Sequence, residues 1–512
     1  MKGIPRAVWL ITAVFGLLLV SYSVLFPIYR APDEVNHVDM IWGIRNERRY
    51  PNFDTRTFSA DVFASRSVAR VDAPFHRLAT EAIPRGQRPT FAQLAPYGPT
   101  TYRNQVAQHP PLYYALLAAP LFATPFVPVA RDWSFDQVVG FLRFLSVLLV
   151  LPLPLIVFRT ARRLYGSVPV ATGAAAVPLA IPQLVHIGAA VNNDNLLTLL
   201  VGLLTAALAA VITAPRSSRV ALMVGVLGGL ALLTKGFALF IPAWVAGAYA
   251  LAMVRFADRR KLLGQGATAL VVMTVLGGWW WIRNLVEFGA IQPGIQLRPG
   301  RTGFVPDRAW WLGRFARNMT ITFWSPVQGP GDPALPLWLS VTATAVVLLG
   351  AAFAFARGRG SRPLAWADPL VLLFPTVAIG AIVASGAWGE YARTGLTPGL
   401  QGRYLFAGIT GVSVAFAAGA SVMLGKRERF LPSLVLLAAA GIQVTIVVGA
   451  LRAYWGPAAP LSVRESVHAL LAWSPWPSAA VIMIWLLFGV ASVALALAVI
   501  RQVRDVASAP RS

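Results

Sequence analysis

Apolar residues in this chain come in runs of about 20, separated by short polar turns. The runs lie near 7–27, 138–158, 167–187, 194–213, 220–236, 237–254, 262–282, 336–356, 368–388, 404–424, 430–450 and 480–500. Each is long enough, as a helix, to cross a hydrocarbon layer of about 30 Å. The pattern predicts twelve transmembrane helices. One departure stands out: the polar stretch 28–108 between the first two runs, followed by an ambiguous apolar segment at 109–128.

Composition supports a membrane protein over a soluble one. The 512 residues are 57% hydrophobic and only 12% charged, against about 25% charged in an average soluble chain. Fibrous, disordered and disulfide-stapled classes are excluded. Cysteine is absent, so there is no thiolate nucleophile, iron–sulfur cluster or Cys-ligated zinc. The opening segment, Met1 to Arg6 and then apolar 7–27, is expected to be a retained signal anchor: its apolar part is long, and it exits through Phe26-Pro27-Ile28-Tyr29-Arg30 without a small-x-small cleavage site.

The net charge of +24 would suggest nucleic acid in a soluble protein. Here the basic residues punctuate apolar runs. With the N-terminus inside and 109–128 not spanning, Arg159/Arg162/Arg163, Arg216/Arg219, Arg255/Arg259/Arg260/Lys261, Arg357/Arg359/Arg362, Lys426/Arg427/Arg429 and Arg501/Arg504 all fall on the cytoplasmic side. A thirteenth span at 109–128 would invert every later turn. Pro110-Pro111 and Pro120 also oppose a straight helix there, so a juxtamembrane or re-entrant segment is expected. No nucleic-acid partner is expected, and the basic turns should face anionic lipid.

This topology puts 16 of the 20 acidic residues and all five histidines outside. The long loops, 28–137 and 283–335, are external too. The first should hold short juxtamembrane helices, with Trp42, Phe53, Phe58, Phe63 and Phe75 mixed with Arg in an interfacial pattern. The whole of 1–512 reads as one all-α transmembrane domain, with its chemistry on the outer face.

Several clusters there carry candidate chemistry. Pro32-Asp33-Glu34-Val35-Asn36-His37 sets two carboxylates at the mouth of the first span. Asp33 and His37 share a helical face, which suits a base that takes a proton from a hydroxyl, with His37 orienting it. Asp33 also fits a helix N-cap after Pro32. Gln108-His109-Pro110-Pro111-Leu112-Tyr113-Tyr114 sets a histidine at headgroup depth, fit to hold a phosphate or to sit in an aromatic belt. Asn192-Asn193-Asp194-Asn195 suits hydroxyls, a metal or an ordinary cap. Gln401-Gly402-Arg403-Tyr404 offers bidentate phosphate contact beside a glycine that permits close backbone approach; Arg403 equally suits snorkelling. Trp279-Trp280-Trp281 and Phe323-Trp324 fit sugar stacking or an aromatic belt. Lys235 sits between two tightly spaced runs, either paired with an anion or snorkelling outward.

In their order along the chain these motifs resemble the GT-C superfamily of integral-membrane glycosyltransferases. One span, an Asp-Glu pair, a long outer loop, a His-Pro-Pro-Leu-Tyr-Tyr segment and then many spans are similar to aminoarabinose transferases and protein O-mannosyltransferases over roughly the first 200 residues. Over most of the chain they resemble a bacterial membrane-protein family of undefined function, through Pro32-Asp33-Glu34, His37, His109-Pro110-Pro111, Asn193-Asp194 and Gln401-Gly402-Arg403-Tyr404.

The resemblance implies transfer of a sugar from a polyprenyl-phosphate donor to a glycan, lipid or protein acceptor, on the outer face of a bacterial cytoplasmic membrane. Asp33 would be the general base and Glu34 its partner or a metal ligand. His37, His109, Tyr113, Asn193, Asp194, Arg403 and Tyr404 would bind substrate. His109 stands where the aminoarabinose transferases place a phosphate-contacting Lys, which makes Arg403 the stronger phosphate candidate. No cofactor is certain, and a divalent cation, Mg or Mn, is left open. Three other readings share this topology: a transporter or flippase of lipid-linked sugars, a glycan polymerase or ligase, and a non-catalytic scaffold. Against transport, the longest loop is external and no two halves match.

Overall fold

Long apolar segments satisfy their backbone groups within the segment, which in lipid leaves helices as the solution. The computed structural model describes residues 3–69, 82–122, 132–214, 217–294, 299–327, 329, 331–357, 363–456 and 462–508. Nine helical stretches among them are long and apolar enough to cross a membrane, or ten if the bent pair Val168–Ala180 and Pro182–Gly188 counts as one span.

Each of the twelve predicted runs falls on a helix, but the helices are uneven. Gly402–Trp455 is continuous over 54 residues, about 80 Å at 1.5 Å per residue, so it carries two runs. They meet at Gly425, whose φ of +52° interrupts the regular helix. Ser218–Leu232 has only 15 residues, short of a full crossing. The bent pair breaks by 72° before Pro182, which has no N–H to continue the ladder.

Segment 109–128 yields one short apolar helical stretch, Leu112–Leu121, roughly half a bilayer long. It leans on the bundle through Leu112 N–H and the Leu233 carbonyl, 3.0 Å apart. Residues 123–128 lie outside the described residues.

The long loop is more ordered than juxtamembrane helices alone. It holds the helix Glu34–Glu47, the helix Ala60–Val68 and an antiparallel pair, β1 (Thr57–Ser59) with β2 (Pro99–Arg103). Its centre is a buried carboxylate, Asp39, which accepts from Ser59 N–H at 2.8 Å, Ser59 Oγ at 2.8 Å and Asn104 Nδ2 at 2.7 Å. Arg56 pairs with Asp39 at 2.7 Å.

The expected interfacial aromatics instead build the loop's own core. Trp42 is buried and donates to Asp61 at 2.7 Å. Phe53 and Phe58 are buried, and Phe63 stacks on Tyr102. Phe75 lies outside the described residues. In loop 283–335, the helix Arg308–Trp324 packs against the turn Gly402–Gly408.

Span ends predicted to face the same side do meet. Tyr29–His37, Val191–Asp194, Lys235 and Arg403 gather at one end of the bundle. At the other, Arg255 pairs with Asp368 at 2.7 Å and Arg357 with Glu428 at 3.1 Å.

Candidate functional site

The site begins with a strained residue. Asp33 has φ +60° and ψ 9°, the left-handed region that costs a non-glycine residue roughly 1–2 kcal/mol. Its neighbour holds it there. Glu34 is buried, and Arg143 of the Phe135–Val150 helix grips both its oxygens, at 2.7 and 2.6 Å. The N–H groups of Val191 and Tyr29 add bonds at 3.1 and 2.8 Å. Arg143 also donates to the carbonyls of Ser23, Phe26 and Pro27 at 2.7, 2.8 and 3.0 Å. This corrects the expectation for Glu34. Its carboxylate faces inward with both oxygens committed, as a staple joining the first span, the Asp33 turn and the Val191 turn, with no oxygen left for catalysis or a metal.

Asp33 projects the other way. Its side chain is a third exposed and lies 2.7 Å from Arg403; Gln105 donates to it at 3.3 Å. It makes no side-chain cap bond, so the N-cap alternative does not hold. Burial pushes its carboxyl up, but the charge and hydrogen bond of Arg403 outweigh that and hold it below the usual carboxylate range.

Arg403 is fully buried rather than snorkelling. It donates through Nε to Gln401 Oε1 and reaches the Pro32 carbonyl at 3.4 Å. On its far side lies Asp194 Oδ2, 3.8 Å away. Asp194 in turn pairs with Lys235 at 2.6 Å, so Lys235 is a buried, partnered cation. Its ammonium sits 5.2 Å from the Phe237 ring centre and 5.3 Å from that of Tyr404, and Arg403 lies over the same Tyr404 ring at 5.1 Å. The result is a row of alternating charge, Asp33–Arg403–Asp194–Lys235, whose formal charges cancel.

The remaining predicted residues divide. His37 meets Tyr114, with Nδ1 3.0 Å from its hydroxyl; burial and the neighbouring charges push its pKa well down. Tyr113 is buried against Ser146, 3.0 Å between hydroxyls, and acts in packing. His109 is buried, and its carbonyl accepts from Tyr50 at 2.6 Å. Burial first, then Lys235, pushes its imidazole down to about 3. At neutral pH the ring is therefore uncharged, which leaves it the part of a hydrogen-bonding group.

Asn192 and Asn195 satisfy backbone carbonyls at Pro32, Ile187 and Ala190. Asn193 is fully buried, and neither its oxygen nor its nitrogen has a hydrogen-bond partner; the same is true of Asp194 Oδ2 and His109 Nδ1. Buried polar atoms are rarely left unpaired. One of these atoms, Asp194 Oδ2, belongs to the charged row itself.

Gly402 has a different use from the one expected. A Cβ there would lie 2.2 Å from the Met319 carbonyl oxygen, and its N–H donates to Thr322 at 2.7 Å. It admits the Arg308–Trp324 helix, which seats the Arg403 turn. Trp280, Trp281 and Trp324 are buried in packing, while Trp279 stays exposed. Among the described residues no three His, Asp or Glu side chains gather to hold a metal ion. Arg143 was missed from sequence because nothing in its run Phe141-Leu142-Arg143-Phe144 shows that its partner lies 109 residues earlier.

Comparison with known proteins gives three findings. Residues 135–281 match the family model described as dolichyl-phosphate-mannose-protein mannosyltransferase. No curated protein sequence matches the chain. Among solved structures, ArnT from Cupriavidus metallidurans bound to undecaprenyl phosphate is 14% identical, with a TM-score of 0.45 over 96% of this chain and 77% of its own. Its apo form gives 13%, 0.47, 97% and 77%. The Archaeoglobus fulgidus oligosaccharyltransferase AglB, in complex with an inhibitory peptide and a dolichol-phosphate, is 13% identical, with a TM-score of 0.43 over 87% of this chain and 56% of that one. Over residues 135–281, within a largely helical polytopic fold, this chain is similar to the dolichyl-phosphate-mannose-protein mannosyltransferase family.

Proposed function

We propose that the chain transfers a sugar from a polyprenyl-phosphate donor to a hydroxylated acceptor, a glycan, lipid or protein of the envelope, on the outer face of the cytoplasmic membrane. Both termini then lie inside. The observation that carries this reading is the Asp33–Arg403 pair: a partly exposed carboxylate beside a buried guanidinium, where the chain leaves the apolar spans. A lipid-linked donor has its tail in the bilayer, its phosphate at headgroup depth and its sugar in water. The named relatives handle dolichyl or undecaprenyl phosphate, which fits this division.

In the reaction the acceptor oxygen attacks the anomeric carbon. The bond from that carbon to the phosphate oxygen breaks, and the phosphate leaves with the bonding pair. Asp33 takes the acceptor's proton. Charge grows on the leaving phosphate, so fixed cations stabilise the transition state more than the ground state. Arg403 and Lys235 supply them. The neutral His109 ring and Asn193 offer hydrogen bonds without adding charge. When the donor phosphate engages Arg403, Asp33 loses part of its ion pair, which raises its affinity for a proton just as a base is needed.

The test is label transfer by detergent-solubilised protein, from radiolabelled polyprenyl-phosphate sugars to an envelope acceptor fraction. Transfer by wild type and its loss in folded Asp33→Asn would support the reading. Transfer that survives in the variant would remove Asp33 as the base. A transporter needs a sealed membrane, so label uptake by vesicles without transfer in detergent would replace the reading by transport.

A further inference from the structure

Between the two cations stands a carboxylate that the reaction does not use. Asp194 Oδ1 lies 2.6 Å from Lys235 Nζ. Its Oδ2 has no hydrogen-bond partner and lies 3.8 Å from Arg403. Both cations and Asp194 are buried, so water screens little of their interaction. A base for the acceptor is already present in Asp33, and Asp194 is the less exposed of the two, 6% against 33%.

We infer that Asp194 is a built-in counter-anion that occupies Arg403 and Lys235 in the empty site and expels the phosphate product once the sugar has left. This rests on the proposed sugar transfer. The charge balance gives the reason. The donor phosphodiester carries one negative charge. The product polyprenyl phosphate is a monoester, with a second ionisation near pH 6 and therefore close to two charges above neutrality. Two bare buried cations would hold the dianion most tightly of all, and turnover would stall on product. Asp194 cancels one positive charge, so the row carries no net charge when it meets the donor and again once Asp33 has released the acceptor's proton. After that release the product's second negative charge meets repulsion from Asp33 and Asp194 that offsets the attraction from Arg403 and Lys235.

Equilibrium binding of undecaprenyl phosphate to the detergent-solubilised full chain tests this at pH 5 and pH 8. Wild type should change affinity by less than about threefold between the two, because the second charge gains nothing. Asp194→Asn should bind about tenfold or more tightly at pH 8 and gain little at pH 5. Asp194→Glu, which keeps the charge, should behave as wild type. With labelled donor, Asp194→Asn should give one rapid turnover and then a slow steady state.

A wild type whose affinity rises tenfold from pH 5 to pH 8 overturns the inference, and needs no variant to do so. So does an Asp194→Asn protein that binds the lipid phosphate no more tightly than wild type, or gains equally at both pH values; in those cases sugar transfer itself still stands. Absence of undecaprenyl phosphate binding to wild type overturns both readings.

Discussion

At the scale of the residue, Asp33 and Arg403 divide one task. Asp33→Asn removes the proton acceptor while keeping shape and a hydrogen bond to Arg403, so transfer should fall by about 10²–10⁴-fold with the fold intact, read as initial rate at saturating donor. Arg403→Lys keeps the charge but loses the planar fork that reaches Asp33, Gln401 and Pro32 together; donor KM should rise and kcat fall.

The histidines give a pH prediction. His37 and His109 are held below the usual 6.5, His109 at about 3. Between those values the unfolded chain binds protons that the folded chain refuses, so stability is full above about pH 6.5 and declines as pH falls toward 3. Asp33, also depressed, adds a further loss at the acid end. Thermal unfolding in detergent should shift to lower temperature across that window, while activity shows no inflection from these three groups between pH 7 and 8.

Of these residues, Asp33, His109, Asn193, Asp194 and Arg403 were legible because each is polar at the edge of an apolar run, where such groups are costly. What sequence could not give was direction. Adjacent Asp33 and Glu34 look equivalent as letters, and only the left-handed turn sends one toward Arg403 and the other into the core.

At the scale of the element, that turn is stapled by Glu34 and Arg143. Glu34→Gln leaves a buried guanidinium without its counter-charge, a loss of about 3–5 kcal/mol for a broken buried pair. The midpoint of thermal unfolding should drop, and kcat should fall more than donor KM rises, because Asp33 is displaced while Arg403 keeps its phosphate geometry. Replacing both partners, Glu34→Gln with Arg143→Met, should recover part of the stability and none of the activity. A double variant that loses as much as Glu34→Gln and Arg143→Met lose separately, added together, would mean the pair is not coupled.

Glycines show why contact partners stay hidden in a sequence. A Cβ on Gly419 would lie 1.7 Å from the Gly350 carbonyl oxygen, and one on Gly411 1.8 Å from that of Leu372. Both belong to Ile409–Leu424, where they let neighbouring helices approach backbone to backbone, the usual way small residues pack helices in lipid. Gly419→Ala should therefore lower the unfolding midpoint although alanine is the better helix former. The apolar runs were readable from length alone. Which glycine faces a neighbour was not, because that depends on helix rotation about its axis.

At the scale of the whole molecule, the sequence argument for sidedness used only the basic turns. The structure adds an independent constraint. The ends of non-adjacent spans assigned to one side, at Asp33, Asp194, Lys235 and Arg403, meet in one cluster, and Arg255 and Arg357 find their partners at the opposite end. A wrong parity between Asp33 and Asp194, or between Lys235 and Arg403, would have separated residues that are within 4 Å.

Which end faces the cytoplasm rests on the basic turns, and the chain's lack of cysteine makes that directly measurable. Single cysteines at Tyr102 and Val305, both well exposed, should react with a membrane-impermeant maleimide in intact spheroplasts. Cysteines at Arg260 and Lys426, exposed at the other end, should react only after permeabilisation. The reverse pattern would put the Asp33–Arg403 pair in the cytoplasm, where soluble nucleotide sugars are an alternative donor, and would remove the argument for a lipid-linked one. The proposed chemistry and the proposed topology therefore stand or fall together in one labelling experiment, before any substrate is known.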